Sequence, residues 1–101
     1  VKIPFDKLDK AFENRVRLQI MSVLVANEHY DFNSLKDLLQ VTDGNLASHL
    51  KGLEREEYIL VNKRFSGRKT NTSYEATSKG KLAFKGHLDA LAQLISEQRK
   101  A

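Results

Sequence analysis

No cysteine occurs among the 101 residues, which excludes a disulfide framework and any thiolate metal site. The three histidines, His29, His49 and His87, lie far apart without the paired spacing of metal ligands, so no metal is expected. Long apolar runs are missing as well. The N-terminal VKIPFDKLDK alternates charged and apolar residues, unlike the core of a signal segment, and no run approaches membrane-spanning length. A soluble, cytoplasmic protein without a membrane partner is the expectation. Also absent are G-x-S-x-G, H-E-x-x-H and a phosphate-binding glycine loop; the five glycines are scattered. Ser48 and His49 are adjacent, and neighbours on a helix do not face one another, so they make a poor nucleophile and base. Neither catalysis nor a cofactor is expected.

What is present fits a single domain over residues 1–101 with one modest core. The net charge of +4 is unevenly spread. Residues 1–57 hold eight Lys and Arg against ten Asp and Glu. Residues 58–86 hold Lys63, Arg64, Arg68, Lys69, Lys79, Lys81 and Lys85 against Glu75 alone, a balance of +6. A cationic cluster on an otherwise balanced chain suits a phosphate-binding surface, because Lys and Arg that neutralise phosphates release condensed counterions. Composition alone equally allows a solvated basic loop.

Phe5, Leu8, Phe12, Val16, Ile20, Val23 and Leu24 recur at three- and four-residue steps, which predicts an amphipathic helix over 5–26 with a possible break near Glu13 and Asn14. The polar stretch at 27–31 ends it. Asn33 is the expected N-cap of a short helix carrying Leu35, Leu38 and Leu39 on one face, and Val41 closes the turn after it. Thr42 is the next N-cap, opening a helix from Asp43 to about Glu56 with Leu46, Leu50 and Leu53 on its inner side. Over 58–65 the period becomes two, with Ile59, Val61 and Phe65 on one side of a predicted strand. Ser66-Gly67-Arg68-Lys69 reads as a turn, and residues 70–76 as the returning strand. Thr77 or Ser78 caps a last helix, at about 78–98, whose stripe is Leu82, Phe84, Leu88, Leu91 and Ile95.

The fold class is therefore mainly α with a small β-hairpin: two short helices followed directly by a basic hairpin form a winged helix-turn-helix, at about 33–56 with its wing at about 58–76. With the leucines of the second helix turned inward, Gly44, Ser48, Lys51 and Arg55 lie on the opposite side, and Asn45, His49 and Gly52 on a flank. Asn45 has the amide geometry that pairs with adenine, and Ser48 bonds several bases. Gly44 costs helix propensity, and two explanations stand: close backbone approach to a phosphate or base, or relief of the tight turn between helices. His49 is either a DNA contact or a packed boundary residue. Lys63, Arg64, Arg68 and Lys69 surround the hairpin tip, within reach of a minor groove or the backbone.

The runs N-R-V-R-L-Q-I at 14–20, D-F-N-S-L at 31–35, T-D-G-N-L-A-S-H-L-K-G-L-E at 42–54, K-R-F-S-G-R at 63–68 and Y-E-A-T-S-K-G at 74–80 resemble a stand-alone winged-helix domain of the MarR/ArsR-like prokaryotic transcription regulators. The resemblance covers nearly the whole chain, and D-G-N-L-x-S-H-L and Thr-x-x-Gly are its most specific parts. It implies recognition-helix positions at Thr42, Asp43, Asn45, Ser48 and His49, a wing position at Arg68, and dimerisation through terminal helices. The cysteine motif of many ArsR-like metal sensors is missing, which argues against that sensory mode. Many MarR-like proteins have more helix around a ligand pocket at the dimer interface; 101 residues leave little material for one, and no effector is identified.

Two functions are compatible with this pattern. One is a sequence-specific regulator that binds double-stranded DNA with the second helix in the major groove. The other is a winged-helix module that holds a protein partner without specific DNA binding, since fold alone does not establish function. The basic wing favours the first. A homodimer is expected because Phe84, Leu88, Leu91 and Ile95 continue beyond what one small core covers, and an exposed stripe usually marks an interface.

Overall fold

The computed structural model describes residues 5–100, and its elements follow from a series of side-chain caps. Two 3-10 turns, Phe5–Lys7 and Lys10–Phe12, precede α1 (Arg15–Ala26). The helix expected over 5–26 does break at Asn14, as allowed for, but the segment before the break is two 3-10 turns and not a helix. Asp9 accepts the Ala11 N–H, and Asn14 Oδ1 accepts those of Val16 and Arg17 at 2.9 and 3.2 Å. Each polar side chain satisfies the donors of a new helical start, so the chain restarts twice although its apolar stride runs on.

Strand β1 (Tyr30–Asp31) and α2 (Phe32–Leu39) follow. Asp31 caps α2, taking the Ser34 hydroxyl on Oδ1 and the Ser34 N–H on Oδ2. Asn33, the cap expected from the sequence, lies exposed within the helix. Gln40 ends α2 in the left-handed region, φ 55° and ψ 51°, and turns the chain within three residues into α3 (Asp43–Arg55). Thr42 caps α3 as expected, its Oγ1 accepting the Asn45 N–H at 3.1 Å.

Strands β2 (Ile59–Ser66) and β3 (Lys69–Ala76) form the hairpin, and the sheet order is β1-β3-β2, antiparallel throughout. Tyr30 pairs with Tyr74, and the β2–β3 ladder runs from Ile59↔Ala76 to Ser66↔Lys69. Gly67 takes φ +63° at the first central position of the loop, where a type II′ hairpin turn demands a residue free of the Cβ penalty. Ile59, Val61 and Phe65 share a side in the alternation, but only Ile59 is fully buried and Phe65 is 79% exposed. The described side chains at the outer end of the hairpin, Lys63 to Phe65 and 67–71, are all exposed, so that side of the strand is left uncovered there.

Helix α4 (Ser78–Lys100) is tied to this hairpin by Thr77, which donates its hydroxyl to the Glu57 carbonyl at 2.7 Å and accepts the Gly80 N–H at 2.9 Å. A Cβ at Gly80 would overlap the Tyr58 carbonyl oxygen. The Thr-x-x-Gly motif is therefore a joint: a hydroxyl that caps one element and grips another, and a bare backbone that lets them touch.

The core gathers Ile20, Met21 and Leu24 from α1, Leu35 from α2, Leu46, Leu50 and Leu53 from α3, and Ile59 and Tyr74 from the sheet. Phe12 closes it, stacking on Tyr58 (centroids 5.3 Å) and meeting Phe84 and His87 edge-on at 5.4 and 5.5 Å. The radius of gyration is 15.6 Å, against about 13 Å for a compact chain of this length. Helix α4 contributes to this extension: beyond Ala90 none of its described residues is fully buried.

Candidate nucleic-acid interface

Burying Leu46, Leu50 and Leu53 turns the rest of α3 to solvent. Thr42, Asp43, Gly44, Asn45, Ser48, Lys51 and Arg55 are all exposed, in agreement with the outward side read from the sequence. Two flank positions differ. Gly52 is buried, and His49 is half-buried with Nδ1 accepting a 3.1 Å hydrogen bond from Arg17 Nε of α1. Burial, aided by the Arg17 charge, holds the His49 pKa below its usual value. Of the two explanations open for His49, the packed boundary residue describes its Nδ1 edge.

Gly44 is placed differently from Gly52. A Cβ there would meet nothing within 4 Å, and its φ is not positive, so neither packing nor the interhelical turn requires glycine. The left-handed residue of that turn is Gln40. At Gly52 a Cβ would collide with the Arg17 guanidinium.

Asp43 forms a 2.8 Å ion pair with Lys36 of α2. The hydrogen bond to that carboxylate, with its charge, raises the Lys36 pKa. The pair joins the two helices of the helix-turn-helix and neutralises the carboxylate in the first turn of α3.

On the wing, Lys63, Arg64, Arg68 and Lys69 are exposed, as expected of cations round a hairpin tip. A groove of about 320 Å³ separates α3 from the sheet, and Lys51 on one bank and Lys63 on the other both line it. Glu54 shares the α3 bank, and of the expected contact residues Lys51 and Lys63 alone line this groove. Of the proposed interface residues in α4, Phe84 is buried in the core of its own chain, Leu91 is half-buried, and Leu88 and Ile95 are 43% and 57% exposed. Leu88 also lines an apolar groove of about 470 Å³ with Leu18, Val23, Leu38 and Leu39.

Sequence reasoning missed Arg17. Its one legible sign was Gly52: a glycine in mid-helix costs about 0.5–1 kcal/mol relative to alanine and so points to a close neighbour, but nothing in the sequence says which.

The profile of the family described as the winged helix DNA-binding domain matches residues 16–95. The chain belongs to that family. A Methanocaldococcus jannaschii protein is 38% identical over 85 residues, which are 84% of this chain and 92% of that protein. A transcriptional regulator homologue from Pyrococcus horikoshii is 32% identical and superposes with a TM-score of 0.82 over 87% of each chain. The fold is also that of S. aureus MepR, solved in complex with DNA, at 19% identity and a TM-score of 0.70 over 94% of this chain and 82% of that one. The solved neighbours are MarR-like transcriptional regulators, as the motif resemblance implied. Among the described residues no helix is long and apolar enough to cross a membrane.

Proposed function

We propose that this chain is a sequence-specific regulator of transcription that binds double-stranded DNA, with α3 in the major groove and the wing on the flanking backbone or minor groove. The observation that carries this reading is an exposed polar face on α3 beside an exposed basic hairpin; Lys51 of α3 and Lys63 of β2 line one groove between them, together with Glu54. Asn45 and Ser48 are the base readers, and Thr42, Asp43 and His49 share their surface. Lys51, Lys63, Arg64, Arg68 and Lys69 supply phosphate contacts, which position the protein without carrying sequence information directly. Gly44 favours the same reading, because a helix start with no side chain and no intramolecular use for the space admits a close phosphate or base. That a MarR-like neighbour was solved with DNA lends support by analogy.

Association as a homodimer completes the proposal. Leu88, beside the core, and Ile95, beyond the last buried residue Ala90, stay exposed on α4, and a second copy covers them at the least cost. Two-fold symmetry would set two α3 helices about 34–36 Å apart, facing successive major-groove turns of a pseudo-palindromic site. The protein-interaction alternative asks for an apolar patch on the outer side of α3. Among the described residues, the large exposed apolar side chains lie on other elements. Selection of bound sequences from a random duplex pool tests the function: an enriched motif is expected, whereas a pool that stays random, with weak binding at low salt, would favour the interaction module.

A further inference from the structure

Arg17 reaches from α1 to α3 and donates Nε–H to His49 Nδ1 at 3.1 Å. A guanidinium keeps its protons at every pH a folded protein meets. Nδ1 therefore presents its lone pair, and the proton of the neutral imidazole resides on Nε2. Among the described residues Nε2 has no partner and no unsatisfied polar side-chain atom is buried, so this N–H opens to solvent. Gly52, three residues along α3, lacks a Cβ that would press on the Arg17 guanidinium. Among the described residues Arg17 forms no ion pair with a carboxylate, so charge pairing does not account for its position.

We infer that Arg17 is a positioning residue for DNA recognition, fixing the His49 imidazole as an Nε2–H donor toward the duplex. This rests on the proposed seating of α3 in the major groove. A ring held this way bonds acceptors, such as guanine O6 and N7, thymine O4 or a phosphate oxygen, and rejects the amino groups of cytosine and adenine. A free imidazole would present either a donor or an acceptor there. The charged group acting on the ring is Arg17 from α1. Lys63 of β2 faces α3 across the groove that Lys51 lines, and Asn45 and Gly52, on the His49 flank, are uncharged. Burial and the Arg17 charge both oppose protonation, which favours the neutral ring whose Nδ1 accepts from Arg17.

The test joins two measurements on the full chain. Nitrogen-15 NMR of the histidines should find His49 protonated at Nε2 and bare at Nδ1, with its midpoint below 6.5; Arg17→Met should raise that midpoint and mix the tautomers. In titrations with the selected duplex at pH 7.5, Arg17→Met should weaken binding about three- to tenfold, the scale of one hydrogen bond, and make it depend on pH. In a His49→Ala background the same change should add little. A wild-type His49 protonated at Nδ1 would overturn the inference, as would an Arg17→Met loss that persists undiminished without His49, since Arg17 would then act on DNA by itself. If the wild type bound no duplex, the proposed function and the donor role would fall together, while the NMR would still decide the tautomer. Should Arg17→Met fail to fold, Arg17→Leu, which likewise removes both the donor and the charge, serves the same comparison.

Discussion

The Tyr58 hydroxyl donates a 2.6 Å hydrogen bond to Asp9 Oδ2, joining the foot of the wing to the segment before α1. The Asp9 backbone N–H in turn donates to His87 Nδ1 of α4 at 2.9 Å. One aspartate thus links the hairpin to the long terminal helix. Burial first, then the bond to Asp9, pushes the Tyr58 pKa up to about 12. Tyr58→Phe keeps the ring on Phe12 but leaves the half-buried carboxylate short of a donor, and should cost about 1–2 kcal/mol in urea denaturation. Because the folded pKa lies above the unfolded value of about 10, this contribution is whole below pH 10 and is lost as the pH rises through about 12. A variant with wild-type stability would show the bond to be idle.

The cap of α2 separates two neighbouring polar residues. Asp31→Ala should destabilise the chain by about 1 kcal/mol, whereas Asn33→Ala should be nearly neutral. The bond from the Ser34 hydroxyl, the largest influence, lowers the Asp31 pKa, so its contribution is present above pH 3.8 and fades as the pH falls through the lowered folded value. Thermal melts at neutral and acid pH read both effects; equal costs for the two alanine variants would contradict the assignment of the cap.

Much of this architecture was legible where a cap and an apolar stride agreed. Thr42 with Leu46, Leu50 and Leu53 marked α3, and the shift to period two after Glu57 marked the hairpin. Where the two signals conflicted, the stride misled: Phe5, Leu8 and Phe12 fit a helical period, yet Asp9 and Asn14 restart the chain. Strand β1 has two residues, too few to have a period, and exists only because Tyr30 meets Tyr74. For Phe65 the alternation gave the side, while burial depends on what covers that side. Arg17 and His49 are 32 positions apart, and no local pattern connects them.

His49 supplies a third pH effect, nearer neutrality. Its folded pKa is lowered, so its contribution to stability is complete above 6.5 and declines as the pH falls toward the folded value. Wild type should therefore lose stability between neutrality and pH 5 more steeply than His49→Gln, measured by urea midpoints at each pH. Parallel profiles would mean that the imidazole is not held neutral.

The dimer proposal separates α4 residues by their burial. Ile95→Glu, at a side chain 57% exposed, should leave the fold intact and shift sedimentation toward monomer. Phe84→Ala should instead cost about 3–5 kcal/mol through a cavity in the core of each chain. Wild type sedimenting as a monomer at micromolar concentration, with and without DNA, would contradict the dimer.

The central claim is that α3 reads the bases while the wing supplies affinity. Its most direct test is titration of wild type, Asn45→Ala, Ser48→Ala and the double variant Arg68→Ala, Lys69→Ala against the selected and a random duplex over a range of salt. The helix variants should spare binding to the random duplex and cost roughly 1–3 kcal/mol at the selected site. The wing variant should weaken both and lower the salt slope by about one for each phosphate that is no longer neutralised. If the helix variants leave the ratio of the two affinities unchanged while the wing variant abolishes it, the wing is the reading element and α3 is not.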